Sequence, residues 1–194
     1  MSNRREFIQK SAIGAAGLTL GGMAMSAKSY GRIIGANDRV RVGILGFSNR
    51  FESALGPAFQ KYAKEMNFEF ASVCDLWSKR RNDGLNWIKK NNETTPLEAR
   101  NTDEFYNQKM DAVIISTADF QHALLCGESV KAGMNVYCEK PFAETMDDAI
   151  FAKKAVKESG KVVQIGSQRR SGPNYQAAHQ LFRMGSLVKF VLSK

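Results

Sequence analysis

The 194-residue chain is 43% hydrophobic and 24% charged, which allows one full hydrophobic core with a second domain only begun. Its net charge is +9, but lysine and arginine are scattered through both halves, and no basic run alternates with stacking aromatic residues. This distribution argues against a nucleic-acid-binding protein.

The N-terminus has the features of an export signal. Arg4 and Arg5 precede a spacer and two apolar residues, and the stretch from Ala12 to Met25 is apolar but short for a membrane span. This arrangement resembles the twin-arginine export motif. We therefore expect residues 1–26 to be a signal peptide that the twin-arginine machinery reads and that is cleaved before Ala27. The mature protein would be periplasmic or extracytoplasmic, without stable membrane insertion. The alternative is an uncleaved membrane anchor or a frayed helix.

Beyond a linker at residues 27–37, apolar strand-like runs alternate with helical segments. Strands are predicted at 39–46, 68–74, 112–116, 135–138 and 162–166, and helices at 53–65, 79–90, 122–131, 145–159 and 174–184. This alternation requires crossover connections, and hence a parallel sheet. We predict an α/β fold, with a Rossmann-type doubly wound domain at residues 38–170.

Residues 171–194 are predicted to begin an α/β substrate domain. A further strand is expected at 188–192, close to the end of the chain, where its backbone groups would have no partner strand to follow. We therefore expect the chain to be the truncated form of a longer protein.

The three cysteines, Cys74, Cys126 and Cys138, are neither even in number nor spaced as C-x-x-C. The pattern therefore encodes neither a disulfide framework nor a zinc site, and we expect no bound metal. Each cysteine is predicted to be a small buried apolar residue.

The turn after the first strand has part of a dinucleotide-binding pattern. In a doubly wound sheet this turn holds the diphosphate and is rich in glycine. Here it reads Gly46-Phe47-Ser48-Asn49-Arg50-Phe51, which keeps only the first glycine of G-x-G-x-x-G. We expect Gly46, Ser48 and Asn49 to contact the cofactor and Arg50 to add charge, with Phe51 holding the helix away from the strand. An ordinary βα turn remains the alternative.

Asp75 ends the second strand, about twenty residues beyond this turn, where a carboxylate accepts both ribose hydroxyls of NAD. NADP remains possible, because Lys79, Arg80 and Arg81 follow closely, and Arg80 in particular could bind a 2'-phosphate. The three basic residues could equally form a solvated helix face.

Two later segments have the most specific pattern. One runs from Ser116 through Thr117 to His122, and the other is a strand at 135–138 that continues into Glu139-Lys140-Pro141. Both, at this spacing, resemble the Gfo/Idh/MocA family of oxidoreductases, named after glucose-fructose oxidoreductase and inositol dehydrogenase. The resemblance covers residues 39–194, although Ala118 stands where the family usually has proline.

The resemblance implies hydride transfer between a nicotinamide cofactor and a sugar or polyol. It implies cofactor contacts from Ser116, Thr117, His122, Glu139, Lys140 and Gln168. It also implies that further catalytic groups and the homo-oligomer interface belong to the substrate domain. Two other functions remain open, namely an NAD-dependent glycosidase or lyase of the same family and a non-catalytic dinucleotide-binding remnant.

Lys140 is the candidate catalytic residue. A lysine at the carboxyl end of a parallel strand points into the cofactor crevice, where its ammonium can hydrogen-bond a substrate hydroxyl as hydride leaves the same carbon. Glu139 could hold that ammonium or contact the nicotinamide ribose. His122 could instead cap or pack its helix, His179 is expected to be structural, and Trp77 and Trp87 are expected in the core or at the adenine edge.

Overall fold

The computed structural model describes residues 39–92, 94–170 and 172–185. The predicted signal peptide, the linker and the strand at 188–192 lie outside these residues. From Val40 onward the described residues pack as one unit. None of the helices in this part of the chain is both long and apolar enough to cross a bilayer.

Six parallel strands form one sheet in the order β3-β2-β1-β4-β5-β6. They are β1 (Val40–Leu45), β2 (Phe68–Cys74), β3 (Leu97–Ala99), β4 (Ala112–Ile115), β5 (Asn135–Cys138) and β6 (Val163–Ile165). The strand order reverses between β1 and β4, as in Rossmann-type folds. The predicted α/β class and doubly wound parallel sheet are therefore confirmed.

A helix follows each of the six strands. A π-helical turn at Phe51–Leu55 continues into α1 (Gly56–Gln60), and a 3-10 turn at Asp119–Gln121 precedes α4. The helices are α1, α2 (Ser78–Asn91), α3 (Thr102–Tyr106), α4 (His122–Lys131), α5 (Met146–Ser159) and α6 (Pro173–Arg183).

Three elements differ from the sequence-based prediction, and one of them is α3, since Thr102 to Tyr106 was expected to be only a short turn. Helix α1 ends at Gln60 rather than near residue 65, because Tyr62 and Met66, whose spacing suggested a longer helix, are exposed and gain nothing from helical packing. Strand β3 was not predicted at all. It has only three residues and pairs at the sheet edge with Ser72 to Cys74 of β2.

The core has two parts, because consecutive strand residues face opposite sides of the sheet. Val113 and Ile115 of β4 belong to one buried cluster, and Ile114 between them belongs to the other. Both faces are covered, which explains why the apolar run of β4 is continuous rather than alternating.

Aromatic rings dominate the second part of the core. Phe51 lies 5.4 Å from both Phe47 and Trp87, measured between ring centroids, and Trp87 lies 5.3 Å from Phe70. Phe51, which stands where a dinucleotide-binding turn has its third glycine, is thus completely buried in this aromatic cluster. Trp87 is therefore a core residue.

The three cysteines are free and buried, in agreement with the sequence-based prediction. Burial raises the pKa of Cys74 to about 12, with a smaller contribution from the neighbouring carboxylate of Asp75. Burial also raises the pKa of Cys126 to about 11 and that of Cys138 further still. Their thiols consequently remain protonated and unreactive in the folded protein.

Candidate functional site

The candidate site lies at the carboxyl ends of β1, β4 and β5, next to the point where the strand order reverses. Ligands of open α/β sheets bind in the crevice at this point. Gly46 follows β1, Ser116 and Thr117 follow β4, and Glu139 follows β5. The parallel sheet thus brings the predicted turn and the two later segments to one edge.

Gly46 allows the turn after β1 to lie directly against the end of β4. Its φ angle is +86°, and a Cβ atom built at this position would lie 2.7 Å from Cγ2 and 2.9 Å from the backbone nitrogen of Thr117. The buried hydroxyl of Ser116 donates a 2.7 Å hydrogen bond to the carbonyl of Gly46. Ser116, predicted as a cofactor contact, therefore also has a structural role, and only glycine fits at position 46.

The rest of the turn is held by one contact of its own and by two contacts with residues beyond β2. The Oγ atom of Ser48 accepts a 3.2 Å hydrogen bond from the amide of Phe51, and Asn49 accepts one from Arg80. The amide of Phe47 donates to Asp75 at 3.0 Å. Contacts with Ser48, Arg80 and Asp75 thus fix the turn, although two of its expected glycines are absent.

Asp75 joins this turn to the end of β2. One carboxylate oxygen accepts the amide of Phe47, and the other accepts the amide of Trp77 at 2.9 Å. An ionised carboxylate has about four acceptor positions, so both oxygens can still accept from ribose hydroxyls. Trp77 itself is 59% exposed, with the Lys79 ammonium 5.8 Å from its ring centroid.

The basic residues at the start of α2 are paired with acidic side chains. Lys79 lies 3.2 Å from Asp83, Arg80 lies 3.0 Å from Glu52, and Arg81 lies 2.6 Å from Glu98. Arg81 also donates to the carbonyl of Asp75 at 2.7 Å. A 2'-phosphate would have to compete with these carboxylates, which favours the alternative in which the three residues belong to a helix face and bind no phosphate.

Glu139 is buried, with 3% of its surface exposed, and its charge is paired with Arg50. Both Nε and Nη2 of Arg50 donate to Oε1 of Glu139 at 3.2 Å. The other oxygen, Oε2, accepts the backbone amide of Lys140 at 3.1 Å. Of the two roles expected for Glu139, the structure shows Arg50 rather than the ammonium of Lys140 as its cation, and contact with the nicotinamide ribose stays a prediction.

Lys140 is exposed, immediately beyond the end of β5, and its peptide bond to Pro141 is cis. Its side chain is therefore accessible at the edge of the sheet where the candidate crevice lies. The chain at this point is held from both sides, by Glu139 before it and by the contacts of Pro141 after it.

His122, at the start of α4, is 1% exposed. Its Nδ1 lies 2.7 Å from the carbonyl oxygen of Pro141, and its Nε2 lies 3.2 Å from the carbonyl oxygen of Thr117. The imidazole thus links the segment after β4 to the Glu139-Lys140-Pro141 segment. Buried between two protein carbonyls, His122 packs within the site, as one of its two expected roles required, and a direct cofactor contact stays a prediction.

The remaining candidates differ in their exposure. Gln168 is exposed in the turn after β6, and His179 is exposed on α6. Thr117 is half-buried beside Gly46. Within the described residues, no cluster of three or more His, Cys, Asp or Glu side chains could hold a metal ion.

The partner of Glu139 is the main feature that sequence reasoning missed. Arg50 lies 89 residues earlier and was expected only to add charge near the turn. The available signal was that a glutamate directly after a buried strand requires a cation if it is buried itself.

Residues 40–167 match the Gfo/Idh/MocA model, described as an oxidoreductase family with an NAD-binding Rossmann fold. The chain is 27% identical over 164 residues to an inositol 2-dehydrogenase of Rubrobacter xylanophilus, a match that covers 81% of this chain and 44% of that protein. This chain thus spans less than half the length of that relative.

Solved structures agree on the fold. The WlbA dehydrogenase from Bordetella pertussis, in complex with NADH and UDP-GlcNAcA, has a TM-score of 0.65 at 21% identity, over 76% of this chain and 43% of that one. KijD10, a 3-ketoreductase from Actinomadura kijaniata in complex with NADP, has a TM-score of 0.65 at 17% identity, over the same shares of the two chains.

Replacement of Gly46 by alanine tests the close approach of the turn to β4. The new Cβ would meet the backbone of Thr117, so we expect a loss of unfolding free energy of about 3 kcal/mol or more. Gly160→Ala is the matched control, because Gly160 also has a positive φ of +65° but open space around its Cβ position. It should cost only about 1 kcal/mol. Urea unfolding measures both, and equal losses would contradict the steric role of Gly46.

Proposed function

We propose, since this chain belongs to the Gfo/Idh/MocA family of oxidoreductases with an NAD-binding Rossmann fold, that it supplies the dinucleotide-binding part of a sugar or polyol dehydrogenase. The observation that carries the proposal is the exposed Lys140 beside the buried Glu139, at the crevice where the strand order reverses. The inositol 2-dehydrogenase relative supports a polyol as one substrate class.

The residues of the crevice fit a dinucleotide. The contact of Gly46 with Thr117 leaves no side chain between the turn and the end of β4, so backbone groups can approach a diphosphate closely. Asp75 retains acceptor positions for the adenosine ribose. Ser48, Asn49, Thr117 and Gln168 remain candidate contacts. When bound, the nicotinamide ring supplies the group that accepts or donates hydride.

Lys140 then acts on the substrate. Its ammonium can donate a hydrogen bond to the reacting hydroxyl and stabilise the negative charge that develops on that oxygen. Because Glu139 is paired with Arg50, the nearest buried carboxylate does not neutralise the ammonium of Lys140. The lysine can therefore direct its charge toward the substrate.

We expect NADH to bind at least about tenfold more tightly than NADPH, because a 2'-phosphate would meet the negative charge of Asp75. Titration of the protein with each reduced dinucleotide, followed by fluorescence, measures the ratio. Arg80→Gln should change this ratio little, since Arg80 is already paired with Glu52. Tighter binding of NADPH that is lost in Arg80→Gln would instead assign Arg80 to the 2'-phosphate.

Lys140→Ala should lower kcat roughly 100-fold, the usual scale for a positioned proton-transfer or electrostatic group. The affinity for NADH should change far less, because the contacts around Gly46 and Asp75 remain. The assay uses the full-length protein and follows net NADH formation from NAD with free polyols. Lys153→Ala, at an exposed position of α5, is the control. Near-normal turnover by Lys140→Ala would exclude the proposed role of this lysine. Glycoside cleavage by the unchanged protein, without net NADH formation, would instead favour the function of a glycosidase.

We also propose export by the twin-arginine route, with cleavage before Ala27. This rests on the paired arginines and the short apolar stretch behind them. Export of a folded protein suits an enzyme that acquires its dinucleotide in the cytoplasm.

Exchange of both Arg4 and Arg5 for lysine should leave uncleaved precursor in the cytoplasm, because charge is kept while the arginine pair is lost. Cell fractionation with detection of precursor and mature forms measures this. Lys10→Arg, the reverse exchange in the same segment, should leave export unchanged. Undiminished export of the arginine-pair variant would refute the twin-arginine route.

A further inference from the structure

The ion pair between Arg50 and Glu139 crosses the candidate crevice. Arg50 belongs to the turn after β1, and Glu139 follows β5, while β4 lies between these two strands in the sheet. The two side chains therefore meet across the carboxyl end of β4. This is the region where the strand order reverses and where a dinucleotide lies in folds of this type.

Three hydrogen-bonded contacts close a ring around this end of the sheet. Ser116 Oγ joins the carbonyl of Gly46 at 2.7 Å, and the amide of Glu139 joins the carbonyl of Ile115 at 3.0 Å. The 3.2 Å contact of Arg50 with Glu139 is the third. The ion pair thus connects the turn after β1 directly to the segment that contains Lys140.

Arg50 has donors left over for a second anion. A guanidinium has five N–H donors in a planar fork. In Arg50, Nε and Nη2 each donate one hydrogen bond to Glu139, which leaves the other N–H groups available. The Arg50 side chain is 41% exposed, whereas that of Glu139 is 4% exposed. One edge of the guanidinium thus faces a buried carboxylate, and the rest is accessible from solvent. Such an edge matches a phosphate, which arginine binds through two parallel hydrogen bonds.

We propose that Arg50 binds the diphosphate of the dinucleotide with its accessible edge while its other edge holds Glu139. Arg50 is then a cofactor-binding residue and also the positioning residue of the Glu139-Lys140 segment. The inference rests on the dinucleotide binding proposed above. It explains how a turn with only one glycine of its motif can bind a diphosphate, since a charged side chain replaces part of the lost backbone contact.

Removal of either partner separates these two roles. Arg50→Gln leaves a buried carboxylate without its cation and also removes the phosphate contact. Glu139→Gln removes the buried charge but leaves Arg50 available to the phosphate. The double variant has neither the unpaired carboxylate nor the guanidinium, so it should recover stability without recovering affinity.

The test measures thermal unfolding and NADH fluorescence titration for the protein and these three variants. We expect Arg50→Gln to lower Tm by about 3 °C or more and to weaken NADH binding at least about tenfold. The double variant should regain most of the lost Tm and keep the weak binding, and Glu139→Gln alone should bind NADH more tightly than Arg50→Gln does. Arg100→Gln is the matched control, because it breaks an exposed arginine–glutamate pair with Glu104 and should change neither quantity.

Three results would overturn the inference. Unchanged NADH affinity in Arg50→Gln would exclude the phosphate contact. Recovery of affinity in the double variant would mean that Arg50 acts only through Glu139. Failure of the double variant to regain Tm would exclude the positioning role. If the unchanged protein bound no NADH at all, the proposed function itself would fail, a result that differs from each of these three.

Discussion

The contact between the backbone of Gly46 and that of Thr117 is the constraint on which the site depends. It brings the turn after β1 so close to the end of β4 that a Cβ atom at position 46 would lie 2.9 Å from the Thr117 backbone nitrogen. The hydroxyl of Ser116 then fixes the carbonyl of Gly46. With the turn held there, Arg50 comes within reach of a carboxylate that lies beyond the neighbouring strand. A looser turn would leave Glu139 buried without a cation, which is strongly unfavourable.

Burial distinguishes the ion pairs of this edge of the sheet. Arg80 and Glu52 are 3.0 Å apart, but Glu52 is half exposed, so solvent screens their attraction and the pair contributes little stability. Glu139 is removed from solvent, and its pairing with Arg50 is therefore a requirement for burying it. Geometrically similar pairs thus have different roles. The pairs on α2 cover a helix face, and the buried pair joins two loops of the site.

The sequence predicts an element well where the residues within that element determine its structure. The continuous apolar run of β4 identifies a strand covered on both faces, and Gly160 correctly ends α5 with a positive φ. The short edge strand β3 was missed because three residues carry too little periodicity. The partners of Glu139 and His122 could not be predicted either. Arg50 lies 89 residues from Glu139 and Pro141 lies 19 residues from His122, and only the assembled sheet brings these segments together.

These long-range contacts explain how a lysine in a loop can be positioned for chemistry. The residue before Lys140 is held by Arg50, and the carbonyl of the residue after it lies 2.7 Å from the imidazole of His122. The backbone around Lys140 is therefore fixed while its side chain remains exposed. In the role proposed for Lys140, substrate binding would have to order only the rotamers of that side chain, at an entropic cost of about 2 kcal/mol or less. A loop without these contacts would have to order its backbone as well, at a further cost of about 1–2 kcal/mol for each residue. The buried Glu139 and His122 thus restrict the backbone at Lys140 more than a loop without such contacts would be restricted.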